Sequence, residues 1–270
     1  MTVKEIAGAL AASGIEDASL EARLLVSHFE KMTLAEALNA EICKENFTDE
    51  ALLSAVARRT HREPLAYIIG EVGFYGEDFL VSPACLIPRA DTEILVDAAI
   101  SLLPPGAVFA DVGTGSGCIA LSVLRHREDL SAIAVDISKD ALEIAQRNAA
   151  RLSLSHRIRF LQADALAPLP EAVLTADAIL SNPPYIQSAV IPTLAPELAF
   201  EPSLALDGGK DGLLFYRSLL DNCPLPLFLF EIGYDQGDAL LSLGRERGFS
   251  ASVRKDFGGR DRVAILSKTP

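Results

Sequence analysis

A glycine-rich turn stands where a predicted strand meets a predicted helix. The run Asp111-Val-Gly-Thr-Gly-Ser-Gly117 follows the apolar strand 108–112 and opens a helical pattern over 118–127. Glycine lets the backbone approach a ligand closely. Such a turn could cradle a pyrophosphate, but dinucleotide enzymes use the spacing G-x-G-x-x-G, whereas this one is G-x-G-x-G. Asp111, just before the turn, favours the cationic part of a ligand, such as an amino group or a sulfonium. The turn residues expected to contact this ligand are Gly113, Thr114, Gly115, Ser116 and Gly117.

Two further acids end the next two predicted strands. Asp136 ends the strand 132–136 and Asp164 follows the strand 158–163. Ligands of open α/β sheets bind at the carboxyl ends of the strands, where Asp136 could accept hydrogen bonds from ribose hydroxyls and Asp164 could meet an adenine amino group. Either acid alone could simply cap a helix. Three acids at successive strand ends, beside a glycine turn, favour a nucleoside cofactor without phosphates. S-adenosylmethionine fits this description, and its product is S-adenosylhomocysteine.

A second motif, Asn182-Pro-Pro-Tyr185, follows the predicted strand 176–181. Asn and Pro are common in ordinary turns, but this turn faces the same cleft as the glycine run. An amide nitrogen is a poor nucleophile because its lone pair is delocalised into the carbonyl. The Asn182 side-chain oxygen and the Pro183 carbonyl could accept its two hydrogens, Pro184 would stiffen that carbonyl, and Tyr185 would offer a flat face. The motif predicts methyl transfer to a planar, amide-like nitrogen, driven by positioning and electrostatics.

Strands and helices alternate from residue 91 onward, which indicates a parallel sheet covered on both faces. The predicted strands are 108–112, 132–136, 158–163, 176–181, 225–232, 251–256 and 263–267. The predicted helices are 92–103, 118–127, 139–151, 236–247 and one beginning at 213. Gly258 and Gly259 suggest that the last two strands form a hairpin, which would make one strand antiparallel. The expected fold is α/β, a seven-stranded, mostly parallel, Rossmann-like sheet.

The chain before residue 91 has a different pattern. Apolar residues recur at helical spacing over the first 65 or so positions, and Thr33 with Glu36 predicts a capping box. Leu20 belongs to the predicted apolar stripe of the second helix. Glycines and prolines over 63–91 favour a hairpin or an extended linker. We therefore expect a helical substrate-recognition domain at 1–68, a β-hairpin linker at 69–90 and a methyltransferase domain at 91–270.

Composition and net charge weigh against several classes of function. The 270 residues carry a formal net charge of −13, which weighs against general nucleic-acid binding. The basic run 58–62 could meet an acidic partner surface, or could be a solvated helix end. No apolar run approaches the ~20 residues of a membrane span, and no signal peptide is evident, so a cytoplasmic location is expected. The four cysteines and four histidines are scattered, so no metal is expected.

The sequence resembles the HemK/PrmC family, the protein-(glutamine-N5) methyltransferases that act on peptide chain release factors. The resemblance covers nearly the whole chain. It rests on REPLAYIIG at 62–70, FYG at 74–76, LIPR at 86–89, DTE at 91–93, the turn at 111–117, NPPY at 182–185, EPSLAL at 201–206, GGKDGL at 208–213, YR at 216–217 and GRDRV at 259–263. The NPPY motif also occurs in DNA adenine and RNA guanine methyltransferases, so it indicates the chemistry rather than the substrate.

The family implies a helical N-terminal domain, a hairpin linker and a seven-stranded methyltransferase domain. It also implies that the substrate is the glutamine of a Gly-Gly-Gln motif in release factors, and hence a role in translation termination. By position, the residues 113–117, Asp136 and Asn182 would contact the cofactor, and the residues 182–185 the glutamine. Ala165 departs from the family, whose members often carry a bulky residue there to pack on adenine. The expected protein is a monomer that stably binds neither nucleic acid nor membrane.

Several alternatives stay open at this stage. Arg89 could steady the cofactor carboxylate or the substrate, or could be a structural arginine. The segment Glu201-Pro202 could wall the cleft, or could be a plain loop. For the protein as a whole, the alternatives are a DNA or RNA exocyclic-amine methyltransferase, a scaffold derived from an enzyme, and an NAD-binding oxidoreductase. The turn spacing and the Asn-Pro-Pro-Tyr motif disfavour the last of these.

Overall fold

The computed structural model describes residues 1–268, which form two compact units. The first unit contains Met1–Glu71 and the short segment Ala195–Phe200. The second contains Val72–Leu194 and the chain from Glu201 onward. Within the described residues, no helix has the length and apolar character needed to cross a membrane.

The first unit is helical, as predicted. Its helices are α1 (Val3–Ala12), α2 (Ala18–Phe29), α3 (Leu34–Cys43), α4 (Glu50–Thr60) and α5 (Leu65–Ile69). The capping box is present, because the Thr33 hydroxyl accepts a hydrogen bond from the Glu36 N–H and the Glu36 carboxylate accepts one from the Thr33 N–H. The expectation for Leu20 was wrong, since this side chain is 47% exposed. The buried face of α2 runs instead through Ala22, Leu25 and Val26.

Helix α5 lies where only a hairpin or extended chain was predicted. Pro64 precedes it, and a fixed proline φ suits the start of a helix. Gly70 ends it in the left-handed conformation, at φ 88°. Proline and glycine therefore act here as start and stop signals of one short helix rather than as markers of an extended linker.

Internal ion pairs occupy the basic run 58–62. The nearly buried Arg59 binds Glu21 at 2.6 Å and Glu197 at 3.3 Å. Arg62 binds Glu197 at 2.7 Å, and Arg58 pairs with Glu63. Glu197 lies in the short segment that joins the first unit, so its two arginine partners attach that segment to the helices. Arg59 and Arg62 are therefore not a free basic patch, whereas Arg58 is 45% exposed at the end of α4.

The predicted hairpin is present and consists of β1 (Glu71–Phe74) and β2 (Glu77–Leu80). Tyr75 and Gly76 connect the strands, and both have positive φ, at 50° and 80°. Two consecutive positive φ angles are the requirement of the tight turn that best matches the twist of paired strands.

The second unit contains the predicted seven-stranded sheet. Its strands are β3 (Val108–Val112), β4 (Ser131–Asp136), β5 (Ile158–Gln162), β6 (Ala178–Ser181), β7 (Leu227–Glu231), β8 (Ser250–Lys255) and β9 (Asp261–Ser267). Their order is β5-β4-β3-β6-β7-β9-β8, and β9 is antiparallel to both neighbours. The helices are α6 (Glu93–Leu102), α7 (Cys118–His126), α8 (Lys139–Arg151), α9 (Glu171–Leu174), α10 (Leu214–Asn222) and α11 (Gly237–Glu246). Of these, only the four-residue α9 was not predicted.

The sheet is apolar on both faces. In β3, Phe109 packs in one buried cluster and Ala110 in another, and the neighbouring strands alternate in the same way. Burial on both faces explains why the strands read as continuous apolar runs. Strand order reverses at β3, which lies between β4 and β6. In α/β sheets, the cleft at such a reversal is where ligands bind.

Asn148 on α8 attaches the hairpin to the glycine turn. Its side chain is 1% exposed. Its oxygen accepts from the Leu80 N–H at 2.8 Å, and its nitrogen donates to the carbonyls of Leu80 at 3.0 Å and Ser116 at 2.9 Å. One buried amide thus satisfies backbone groups of two separate segments.

We expect Asn148→Ala to lower the free energy of unfolding by about 2–3 kcal/mol, because it leaves buried backbone polar groups without partners. Urea denaturation followed by circular dichroism measures the change. Asn39→Ala, at an exposed position of α3, is the matched control and should change stability little. Equal stability of the two variants would show that the hydrogen bonds of Asn148 do not stabilise the protein.

Candidate active site

A cavity of about 440 Å³ lies at the carboxyl ends of β3, β4 and β6. Its walls come from the glycine turn, the ends of these strands, the segment 83–89 and the loop around Pro202. Every lining residue belongs to the second unit. Among residues 1–268, no group of three or more His, Cys, Asp or Glu side chains is arranged to hold a metal ion.

The glycine turn lines the cavity with backbone. Gly113, Gly115 and Gly117 all have positive φ, which explains the choice of residue. The N–H groups of Gly113 and Thr114 both donate to the Val135 carbonyl, at 2.8 and 2.9 Å, so β4 holds the turn in place. Gly113 lines the cavity, and a Cβ atom there would meet no atom within 4 Å other than those of its chain neighbours.

Asp111 lies behind the turn and is completely buried. One oxygen, Oδ2, accepts from the Thr114 hydroxyl at 2.7 Å and from the Ala120 N–H at 3.3 Å. The other, Oδ1, has no hydrogen-bond partner within the described chain. Burial raises the pKa of Asp111 to about 7. Asp111 is not among the residues that line the cavity, so its contact with a cationic ligand group stays a prediction.

Asp136 lines the cavity at the end of β4. Its Oδ2 accepts from the Gly115 N–H and its Oδ1 from the Ser138 N–H, both at 2.9 Å. Burial raises the pKa of this carboxyl. The N-cap of α8 is Ser138, whose hydroxyl accepts from the Ala141 N–H, so Asp136 is not a helix cap. Two backbone N–H groups thus hold the Asp136 carboxylate in the cavity wall.

Asp164 and Ala165 also line the cavity, beyond β5. Asp164 accepts a hydrogen bond from the Leu166 N–H at 2.8 Å and does not cap a helix, because the next one, α9, begins only at Glu171. Leu166 and Phe215 contribute apolar surface to the same cavity. These two side chains were not singled out from sequence, where attention went to the small Ala165 instead.

The tetrapeptide motif begins directly after β6, and Asn182, Pro183 and Pro184 line the cavity. The Ser181 hydroxyl donates to the Val112 carbonyl at 2.6 Å, which fixes the strand end. The Asn182 side-chain nitrogen donates to the Thr92 hydroxyl oxygen at 3.3 Å. Neither the Asn182 Oδ1 atom nor the Pro183 carbonyl accepts a hydrogen bond from any described residue. Two neutral acceptors are therefore available at the cavity wall.

The backbone behind the motif is tightly enclosed. The Gln236 side-chain nitrogen donates to the carbonyls of Tyr185 and Gly212, both at 3.2 Å. A Cβ atom at Gly212 would lie 2.3 Å from the Tyr185 oxygen, so only glycine fits there. The Tyr185 hydroxyl lies 3.4 Å from the Glu231 carboxylate, and its ring packs against an apolar cluster outside the cavity lining. That Tyr185 offers a stacking face to substrate stays a prediction.

Arg89 lines the rim of the cavity and pairs with the buried Glu201. Glu201 also accepts from the Ile87 N–H at 3.1 Å, and Pro202 forms part of the cavity wall. Glu201 thus holds the segment 83–89, which carries Arg89, in place through these two contacts. The sequence predicted neither this pairing nor the contacts of Thr92 and Glu231. Glu231 ends an apolar strand just as Asp136 does, so the same signal could have identified it.

Both units match known families. Residues 2–70 match the family model of the PrmC N-terminal domain, and residues 91–207 match that of the methyltransferase small domain. The chain is 42% identical to the release factor glutamine methyltransferase of Moorella thermoacetica, with 98% of each chain covered. It is 38% identical to that of Caulobacter vibrioides, over 96% of this chain and 92% of the relative.

Among solved structures, the Mtq2–Trm112 complex of E. cuniculi, which methylates the termination factor eRF1, shares the fold. The TM-score is 0.51 at 22% identity, over 69% of this chain and 99% of that one. The relatives at about 40% identity span nearly the whole sequence and confirm the resemblance found from its motifs. The chain belongs to the release factor glutamine methyltransferase family.

Proposed function

We propose that this protein transfers a methyl group from S-adenosylmethionine to the side-chain amide nitrogen of the glutamine in the Gly-Gly-Gln motif of peptide chain release factors. The observation that carries this proposal is the pair of unpartnered acceptors at the cavity wall, Asn182 Oδ1 and the Pro183 carbonyl. A carboxamide NH₂ has two hydrogens to place, and these two oxygens offer one acceptor for each. The names of the relatives supply the substrate.

The two acceptors explain how a weak nucleophile can react without a strong base. They hold both N–H bonds, so the plane of the amide is set and its nitrogen faces the methyl donor. Both oxygens are neutral dipoles, and they stabilise the positive charge that develops on the nitrogen in the transition state. Gln236 and Gly212 fix the backbone of the motif, so little reorganisation is needed. The cofactor, when bound, would supply an electrophilic methyl group on a sulfonium. As the N–CH₃ bond forms and the S–CH₃ bond breaks, the nitrogen becomes strongly acidic and its extra proton would pass to water.

The cavity fits such a cofactor. The buried Asp111, behind the turn and outside the cavity lining, would attract the cationic amino-acid end of the cofactor by its charge, and Asp136 in the cavity wall suits ribose hydroxyls. Leu166 and Phe215 provide apolar surface for a flat base, which compensates for the small Ala165. The residues that would hold the cofactor are Asp111, Gly113, Thr114, Gly115, Ser116, Gly117, Asp136, Asp164, Ala165 and Asn182. The product left in the site is S-adenosylhomocysteine.

Incubation with methyl-labelled S-adenosylmethionine and a purified release factor, followed by peptide mapping, tests the function. We expect the label on the glutamine of the Gly-Gly-Gln motif and none on duplex DNA or structured RNA supplied in parallel. Label on nucleic acid, or on any other residue of the release factor, would overturn the proposal in favour of an amine methyltransferase with another substrate.

Asn182→Ala removes one acceptor and should lower kcat by about 10²–10³-fold, which is typical of losing one preorganised polar group at a reacting centre. The Kd for S-adenosylmethionine should change no more than about threefold, since the cofactor keeps its other contacts. Single-turnover kinetics and isothermal titration calorimetry measure the two values. Unchanged turnover would remove Asn182 from the mechanism.

Asp136→Ala should weaken binding of S-adenosylmethionine by about 10–100-fold, because hydrogen bonds to a charged group contribute about 1.5–3 kcal/mol. The matched control is Asp140→Ala, an exposed acid in the first turn of α8. Calorimetry should show the control binding like the parent protein. Equal affinity of both variants would mean that Asp136 does not hold the cofactor.

A further inference from the structure

We propose that Thr92 and Glu231 are positioning residues that fix which end of the Asn182 amide faces the substrate. This inference rests on the proposed function, because it concerns how the Asn182 acceptor is aimed. Thr92 stands in the motif at 91–93, where no role was predicted for it, and Glu231 stands in none of the motifs. Both lie in the second unit; Thr92 lines the cavity together with Asn182, and Glu231 is buried on the strand next to the one that precedes the Asn-Pro-Pro-Tyr turn.

Glu231 is an acid in an unusual place. It ends β7, next to the strand that carries the catalytic turn, and is only 1% exposed. The Tyr185 hydroxyl lies 3.4 Å from its Oε1 atom. Its Oε2 atom has no hydrogen-bond partner in the described chain. A buried carboxylate that is only partly paired is costly, so its retention behind an active site calls for a role.

Thr92 connects this acid to Asn182. It is 2% exposed and lies just before α6. Its oxygen accepts from the Asn182 side-chain nitrogen at 3.3 Å. The Thr92 hydroxyl is also close enough to Glu231 to stabilise its charged form, which opposes the rise in pKa caused by burial. Asn182, Thr92 and Glu231 therefore form one chain of polar contacts.

The direction of this chain follows from which groups can donate. An ionised carboxylate only accepts hydrogen bonds, so the Thr92 proton must go to Glu231. The Thr92 oxygen is then an acceptor, and only the nitrogen end of the Asn182 amide can satisfy it. The oxygen end is thereby left for the substrate N–H. The buried charge thus selects one of the two amide orientations, which are nearly equal in shape.

Protonation of Glu231 removes its charge, and the preference for one orientation of the Asn182 amide is then lost. A neutral Glu231 can donate to Thr92, whose proton can then go to Asn182 Oδ1 in the flipped orientation. The flipped amide would present NH₂ to the substrate NH₂, and two donors facing each other cannot bond. Burial raises the pKa of Glu231 to about 7, so its charge changes near neutrality. The titratable and charged groups that face it are Asp91, Cys118, Tyr185, Tyr216 and Arg262.

Thr92→Val keeps the shape of the side chain but removes the hydroxyl, and Thr92→Ser keeps the hydroxyl. With saturating cofactor, we expect Thr92→Val to lower kcat by about tenfold or more, the effect of one lost hydrogen bond, with an unchanged Kd for S-adenosylmethionine. Thr92→Ser should restore kcat to within about threefold of the parent. Equal kcat in all three proteins would overturn the inference.

The pH profile separates positioning from a merely structural role. The carboxylate is the productive form, so kcat of the parent should rise as pH increases through about 7 and level off above it. Glu231→Gln cannot ionise, so its kcat should be reduced and should not rise across this range. A variant profile that still rises with the same midpoint would assign the titration to another group and defeat the proposal.

Nuclear magnetic resonance of the Asn182 side-chain amide tests the same chain without any substrate. The Asn182→Ala variant identifies the signal, which should shift with a midpoint near pH 7 in the parent and stay fixed in Glu231→Gln. If release factors are not methylated but this signal titrates as expected, only the proposed function fails. If release factors are methylated but the signal is the same in both proteins, only the positioning inference fails.

Discussion

The delocalised lone pair of a carboxamide nitrogen is the constraint on which the architecture of this site depends. A base strong enough to deprotonate such a group would not be available near neutral pH, so the site must orient the amide and stabilise charge. Neutral oxygens can do this only if they are fixed in advance, because each contributes a modest energy. Gln236 and Gly212 contribute to that requirement, since both hold the motif that contains Asn182 and Pro183 at its Tyr185 carbonyl.

The parallel sheet brings the residues of the site together. Because β3, β4 and β6 end at one edge, residues distant in sequence meet around one cavity. The same edge carries two buried acids, Asp111 and Glu231, whose pKa values burial raises to about 7. Their unfolded pKa values are lower, so the unfolded chain ionises first. Their contribution to folding is therefore fully present in acid and is lost as pH rises toward 7. Burial of these two acids therefore lowers stability at neutral pH relative to acid pH.

Local sequence patterns predicted much of the fold and of the candidate site. Continuous apolar strands, helix punctuation and the two motifs identified the fold, the cofactor turn and the tetrapeptide, because those signals lie within short windows. The prediction was wrong for Leu20, whose exposure is decided by which face of α2 meets the neighbouring helices. It missed the pairing of Arg89 with Glu201 and the contact of Asn182 with Thr92, which join positions about 110 and 90 residues apart. Such partners follow from tertiary packing, and no local spacing encodes them.

A crystal structure with S-adenosylhomocysteine and a Gly-Gly-Gln peptide would test the central claim most directly. It would measure the distances from the glutamine side-chain nitrogen to Asn182 Oδ1 and to the Pro183 carbonyl oxygen. We expect both to be about 2.9–3.1 Å, with the nitrogen facing the sulfur of the cofactor product. A glutamine nitrogen beyond about 4 Å from either oxygen, or one that faces the Asn182 nitrogen instead, would contradict the account.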